Sequence, residues 1–396
     1  MATTDQMSEM TAPAAGASPE LLVLLTAMPQ EQLESVLANL TDSLPVESLL
    51  VAAPEAVSKT AYPALRIVAA PPASASWTLT AADFVSAYQA ADKNKARALL
   101  MLGPQSASLG SAGLRALSNA VLTTATDLSV PCYDLTPNAG LINSAILYPL
   151  SRALFASRVR FPLATELGLS LRMAERLAGA AQRLVTVDQG ETPLWPINEA
   201  SVAGFAVGQF DAGPHVQEVN PGLDLNTVLP TVTGALFSDI DAKAAFWQRP
   251  RQLPPARDSL PQSRPSDGAV DITPMVQSFR LAYTNLYELW SLVLPPNSLF
   301  GLKRLFATDA AQFRMPDSLW VRVVYDFLLA YRLRTINRGH LLGALIPLYL
   351  AWVASHINVA ASGVSPESHI EAVAAAFEAD KPYLVARWRW PDRFNP

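Results

Sequence analysis

The chain has 396 residues, half of them apolar and 16% charged, with a formal net charge of −5. That length allows two domains with separate cores, because single cores stop growing near ~250–300 residues, and the apolar content excludes a disordered chain. The acidic balance and the lack of a concentrated basic face argue against nucleic acid as a partner, and a single cysteine, Cys132, excludes an internal disulfide framework and reads as a small buried hydrophobe.

Residues 1–19 are rich in Ala, Thr, Ser and Met and read as a disordered tail. The first basic residue is Lys59, so the positive n-region of a secretory signal is missing and a cytoplasmic location is expected. Leu21-Leu-Val-Leu-Leu25 is a continuous apolar run suited to a strand covered on both faces. Pro29 can open a helix, in which Leu33, Val36, Leu37 and Leu40 recur with helical spacing. Residues 49–51 and 65–68 read as the next two strands, which gives the βαβ rhythm of a mostly parallel sheet. Thr80 with Asp83 three residues on forms a partial capping box for a helix through Phe84, Val85 and Tyr88. Residues 97–102 make a central strand stopped by Gly103-Pro104; a helix over 114–124 and a strand over 128–133 follow. Helices are then expected over 143–155 and from about Leu169 to Leu184.

Residues 248–270 break this rhythm. They hold five prolines and four arginines and read as an extended linker. Beyond them the periodicity is helical: one helix through Met275, Phe279, Tyr283, Leu286 and Trp290, and another capped by Asp317 or Ser318. Two more cover residues 341–357 and 370–377, so a helical bundle is expected over 271–396. The apolar run 341–354 falls short of the ~20 residues that span a bilayer, so it predicts a buried helix and no membrane span. The closing Arg387-Trp-Arg-Trp390 is expected to pack on these helices. His340 and His356 have no second ligand at i+4 and are expected to be structural.

The stretch Asn143-Ser-Ala-Ile-Leu-Tyr-Pro-Leu-Ser-Arg-Ala-Leu-Phe155, then Arg158-Val-Arg160 and Pro162-Leu-Ala-Thr-Glu-Leu-Gly-Leu-Ser170, resembles the acceptor-side segment of bacterial GT-A glycosyltransferases of the family-two kind, near mannosylglycerate and glucosylglycerate synthases. Those relatives carry a helix TN-x-x-x-YPL-x-RAL, an R-x-R turn and a GGDFGLS loop. Residues 195–215, 319–327 and 345–350 are similar to later blocks of the same family. The resemblance implies an α/β, GT-A-like (Rossmann-like) domain over 20–247 followed by an all-α domain over 271–396. It also implies transfer of a sugar from a nucleotide donor to a small polar acceptor.

Such a transferase holds a divalent ion with an Asp-x-Asp at the end of a central strand, and the ion bridges the two phosphates. Here that strand runs into Gly103-Pro-Gln-Ser106, which has no carboxylate, and the acid expected after the second strand is absent or displaced to Glu55. An Mg2+ or Mn2+ site would have to be rebuilt from other residues, with His215 either matching the relatives' metal histidine or being a surface loop residue. On the acceptor side, Glu166 stands where the GGD aspartate would be, with Ala164 and Thr165 in place of the glycines. Glu166 either acts on an acceptor hydroxyl as base or orienting group, or is an acid favoured by a helix N-terminus. Arg158, Arg160, Thr165 and Asn198 complete the implied substrate site, with helix-end charge the alternative for Arg158. Two functions therefore compete: an active transferase acting on a nucleotide sugar and a small polar acceptor, and a non-catalytic relative that serves as a binding or assembly partner, as a homo-oligomer or beside an active paralogue.

Overall fold

A computed structural model of the chain describes residues 18–26, 28–54, 62–70, 77–123, 126–214, 224–254 and 270–390. All but the last two residues of the expected tail, Glu55, His215 and residues 255–269 of the expected linker lie outside the described residues.

The elements between Leu21 and Pro214 build one sheet. Its elements run β1 (Leu21–Leu25), α1 (Gln30–Ser43), β2 (Leu49–Ala53), β3 (Ile67–Ala69), α2 (Ala81–Lys93), β4 (Ala98–Leu102), α3 (Gly110–Leu122) and β5 (Leu128–Asp134). Then come α4 (Tyr148–Phe155), β6 (Leu167–Ser170), α5 (Leu171–Thr186), α6 (Pro196–Ala203) and β7 (Val207–Pro214). The strand order is β3-β2-β1-β4-β6-β5-β7, parallel except for β6, which runs antiparallel between β4 and β5. This is the mostly parallel α/β architecture expected from the sequence.

The continuous apolar strands are explained by cover on both faces. Leu22 and Leu24 of β1 pack with Phe84 of α2 and Leu177 of α5, while Leu21, Val23 and Leu25 pack with Leu33, Val36 and Leu37 of α1 and Leu117 of α3. Cys132 lies in the second of these cores. The Thr80 box forms as expected: the Thr80 amide donates to Asp83 at 2.8 Å and its hydroxyl at 2.9 Å.

The remaining helices are α7 (Leu225–Ala242), α8 (Ala244–Trp247), α9 (Thr273–Asn285), α10 (Tyr287–Ser291), α11 (Pro296–Phe306), α12 (Asp317–Leu333), α13 (Arg338–Ala361) and α14 (Pro366–Arg389). No strand occurs among the described residues beyond 270. One apolar core joins Leu150 and Leu154 of α4 and Leu236 of α7 to Trp290, Trp320, Phe327, Trp352 and Phe377. The indole of Trp320 donates to the Ala145 carbonyl at 2.8 Å, within a π-helical turn (Asn143–Leu147) that leads into α4. Wide turns of this kind recur beside functional sites. The helix α13 is long and apolar enough to cross a membrane by composition, and its apolar window is mostly buried inside the fold. The closing tryptophans divide: Trp388 packs edge-on against Trp247 at 4.9 Å, and Trp390 is exposed.

Several expectations need correction. The helix expected from Leu169 starts at Leu171, because Leu167–Ser170 is drawn into the sheet as β6. The helix expected through Met275 and Trp290 breaks after Asn285 into α9 and α10. Pro316, with extended backbone, occupies the cap position before α12, which places Asp317 in its first turn instead of at the cap.

Candidate functional site

The carboxyl ends of β1, β2 and β4 lie together, with Leu25 beside Leu102 and Val51 beside Val23. Ligand crevices in open α/β sheets form at this edge. The antiparallel course of β6 brings the 165–166 loop to the same edge. Met101 pairs with Leu167, so one step further sets Glu166 beside Leu102 and Thr165 beside Gly103. The approach is close: a Cβ on Gly103 would lie 2.6 Å from Thr165 Oγ1, 2.7 Å from its Cβ and 3.3 Å from Glu166 Oε1. The segment after β4 also closes on itself as a 3-10 turn (Pro104–Leu109), with the Ser106 hydroxyl donating to the Gly103 carbonyl at 2.6 Å.

Glu166 is buried at 1% exposure. The Tyr133 hydroxyl donates to Oε2 at 2.6 Å and the Thr165 hydroxyl to Oε1 at 2.7 Å. Burial raises the Glu166 carboxyl above the usual carboxylate value, against the opposing pull of these hydrogen bonds. Neither Arg158 nor Arg160 pairs with it. A raised folded value means that Glu166 adds most to stability at low pH, and that this contribution fades as pH rises through its titration. Glu166→Gln cannot titrate, so the wild-type advantage over it in urea should be larger at about pH 4 than at about pH 7. Stability curves that stay parallel across that range would show that folding does not raise the pKa of this carboxyl.

The two arginines turn away from the sheet edge towards α14. Arg160 is buried, with Nε 2.9 Å and Nη2 3.0 Å from the Glu367 carboxylate, and Nη2 also donates to the Ser144 hydroxyl at 2.9 Å. Its guanidinium lies 4.7 Å from the Phe161 ring and 5.5 Å from that of Tyr148. Arg158 donates to the Pro254 carbonyl at 2.9 Å and stands 4.0 Å from Glu371. Arg152, not singled out from the sequence, binds Glu371 at 2.5 Å and Glu378 at 2.9 Å. Asn198 donates to Asp239 at 2.8 Å and accepts from Ser151 at 3.4 Å. Its neighbour Glu199 is held by Lys243 at 2.7 Å and Arg176 at 3.0 Å. Thr165 and Glu166 are thus together, while Arg158, Arg160 and Asn198 belong to other polar clusters.

His356 is structural in an unexpected way. Its Nδ1 lies 2.8 Å from Nδ1 of His369, the rings stack, and Trp352 stacks on both. Burial, then His369 and Arg160, push the His356 imidazole down to about 3. His340, by contrast, is exposed at the start of α13.

The residues after β4 do not fit a divalent ion. A hard cation that bridges phosphates needs anionic oxygens, and 103–106 supplies none while the Thr165 side chain fills the space beside Gly103. No group of three or more His, Cys, Asp or Glu able to hold a metal occurs among the described residues. The His215 candidate lies outside them.

Neither a protein-family profile nor a curated protein sequence matches the chain. Among solved structures it resembles glucosyl-3-phosphoglycerate synthase from Mycobacterium tuberculosis. The form with phosphoglyceric acid is 15% identical over 56% of this chain and 79% of that one, with a TM-score of 0.36. The form with Mn2+, UDP and glucosyl-3-phosphoglycerate is 15% identical over 60% and 86%, also at 0.36. The form with Mg2+ and UDP is 13% identical over 56% and 79%, at 0.35. The likeness is to solved structures at low identity. At these scores it transfers no residue role to this chain.

Proposed function

We propose that this is a glycosyltransferase-like protein whose sheet edge no longer performs metal-assisted sugar transfer, and that it acts as a binding or assembly partner. The observation that carries the reading is Thr165 standing against Gly103, where the Cβ of any other residue would be 2.7 Å from the Thr165 Cβ. An aspartate at that position would have to displace the threonine, and the charge stabilisation that drives such transfers would still lack its metal. Supporting it, the polar residues implied as acceptor ligands are spent on partners within the fold: Arg160 on Glu367, Asn198 on Asp239, and Glu166 on Tyr133 and Thr165. A binding role also accords with Leu281 and Leu292 of the helical region, which are each 66% exposed.

The test is a transfer assay with UDP- and GDP-sugars and small hydroxylated acceptors, with and without Mn2+, alongside thermal unfolding with the same donors. The expected outcome is no metal-stimulated sugar transfer and no rise in melting temperature that requires both donor and Mn2+. A donor present at 100 times its Kd would add about 2.7 kcal/mol to stability, so binding would be plain. Metal-stimulated transfer abolished by Glu166→Gln would overturn the proposal and restore the catalytic reading.

A further inference from the structure

Away from the sheet edge, an open groove lies in the helical region between α11, α12 and α14, with a volume of about 960 Å3. That is at the upper end of the range of small-molecule sites. Four arginines line it, Arg304, Arg314, Arg322 and Arg387, against a single carboxylate, Asp380. Two of the four already have acidic partners. Arg322 donates to Asp380 at 2.7 Å, and Arg387 pairs with the buried Asp326 and also donates to the Tyr383 hydroxyl at 2.7 Å. Arg304, in the last turn of α11, and Arg314, just before α12, are exposed and have no carboxylate partner among the described residues.

Gathering unpaired guanidinium groups around one concavity carries a charge cost, since like charges repel. The cost is removed by an anion. Guanidinium forks match the paired oxygens of phosphate groups, and the groove contains no lysine among its lining residues. Part of the remaining lining is apolar: Pro295, Leu305, Pro316, Leu319 and Phe300, the last 62% exposed with the Arg304 guanidinium 6.0 Å from its ring centroid. An exposed aromatic face beside unpaired cations suits a ligand with charge at one end and a flat body at the other. We propose that this groove binds an organic phosphate, with the phosphates between Arg304 and Arg314 and a flat apolar portion against Phe300. This site is independent of what the sheet edge does.

The test is calorimetric titration of the full chain with two probes, ATP and inorganic tripolyphosphate, at low and at moderate salt. Both should bind, ATP more tightly, and both should weaken as salt screens the arginines. The Arg304→Ala/Arg314→Ala variant should weaken both by about tenfold or more at an unchanged melting temperature, which is expected because both side chains are exposed. Phe300→Ala should weaken ATP and leave tripolyphosphate unaltered. Failure of the wild type to bind either probe overturns the proposal, as does binding that survives loss of both arginines. Tighter binding of poly-glutamate than of either phosphate would also overturn it, making the groove a docking surface for an acidic protein.

Discussion

Arg160→Ala should destabilise the protein by about 3–5 kcal/mol, the range for breaking a buried ion pair from one side. The pair is bidentate, with side chains only 6% and 11% exposed, so removing the guanidinium leaves the Glu367 carboxylate in a site with little water to solvate it. The Ser144 hydroxyl loses a donor at the same time, and the Phe161 and Tyr148 rings lose a stacked cation. The measurement is the urea midpoint at constant slope. Glu367→Ala should cost as much, since it strands the arginine instead. The double variant Arg160→Met/Glu367→Leu should recover most of the loss, because a well-packed apolar pair replaces two charges that were costly to desolvate. A loss below about 1 kcal/mol for Arg160→Ala would mean that the pair behaves as an exposed one.

Gly103→Ala should cost about 1–3 kcal/mol, the usual range for forcing a methyl into filled space. The backbone at Gly103 is extended, with φ −87° and ψ −175°, so alanine meets no conformational penalty there. The whole cost must come from Thr165, whose Cβ stands 2.7 Å from the new methyl and is anchored to the backbone. A second substitution, Thr165→Gly, opens that space, although it also removes the hydroxyl bonded to Glu166. The double variant should therefore be more stable than the sum of the single losses predicts, with a coupling of about 0.5–3 kcal/mol. Additive losses would show that the two residues do not compete for the same volume.

Much of the sheet was legible because its signals are local. Leu21–Leu25, Leu49–Ala53 and Ala98–Leu102 are short runs of apolar residues, and a strand covered on both faces has to be written that way. The Thr80–Asp83 box was readable for the same reason, its partners being three residues apart. Strand β6 was not, because four residues reading Leu-Gly-Leu-Ser are ambiguous until β4 and β5 flank them. The helix α11 has little local signature, because Pro295 caps it, Pro296 is its first residue, and its buried positions are only Ser298, Leu302 and Leu305.

Arg158, Arg160 and Asn198 do not join Thr165 and Glu166, because their partners lie elsewhere in the fold. Thr165 and Glu166 do meet at the sheet edge, but Tyr133, 33 residues earlier, was not foreseen as the partner of Glu166. The arginines were noticed without their partners. Those partners had left a trace: Glu367, Glu371 and Glu378 are spaced by four and seven residues, which sets them on one stripe of a helix. Such a stripe reads as a solvated face unless cations elsewhere in the chain are known to need it. Contacts separated by more than 200 residues, such as Arg160 with Glu367, have no local signature.

The dependence of α4 on α14 has a consequence for synthesis. When residues 143–160 are synthesised, the carboxylates that will hold Arg152 and Arg160 are still more than 200 residues from being made. The Trp320 indole that will bind the Ala145 carbonyl is 175 residues away. At ~5–20 residues per second the delay is on the order of ten seconds or more, during which the apolar side of this segment stands open. The nascent sheet can form its β1–β2–β4 core early, but it then waits for the last helix with one flank uncovered. Until α14 is made, the apolar flank of this segment is exposed to other chains, the situation in which partly folded proteins aggregate.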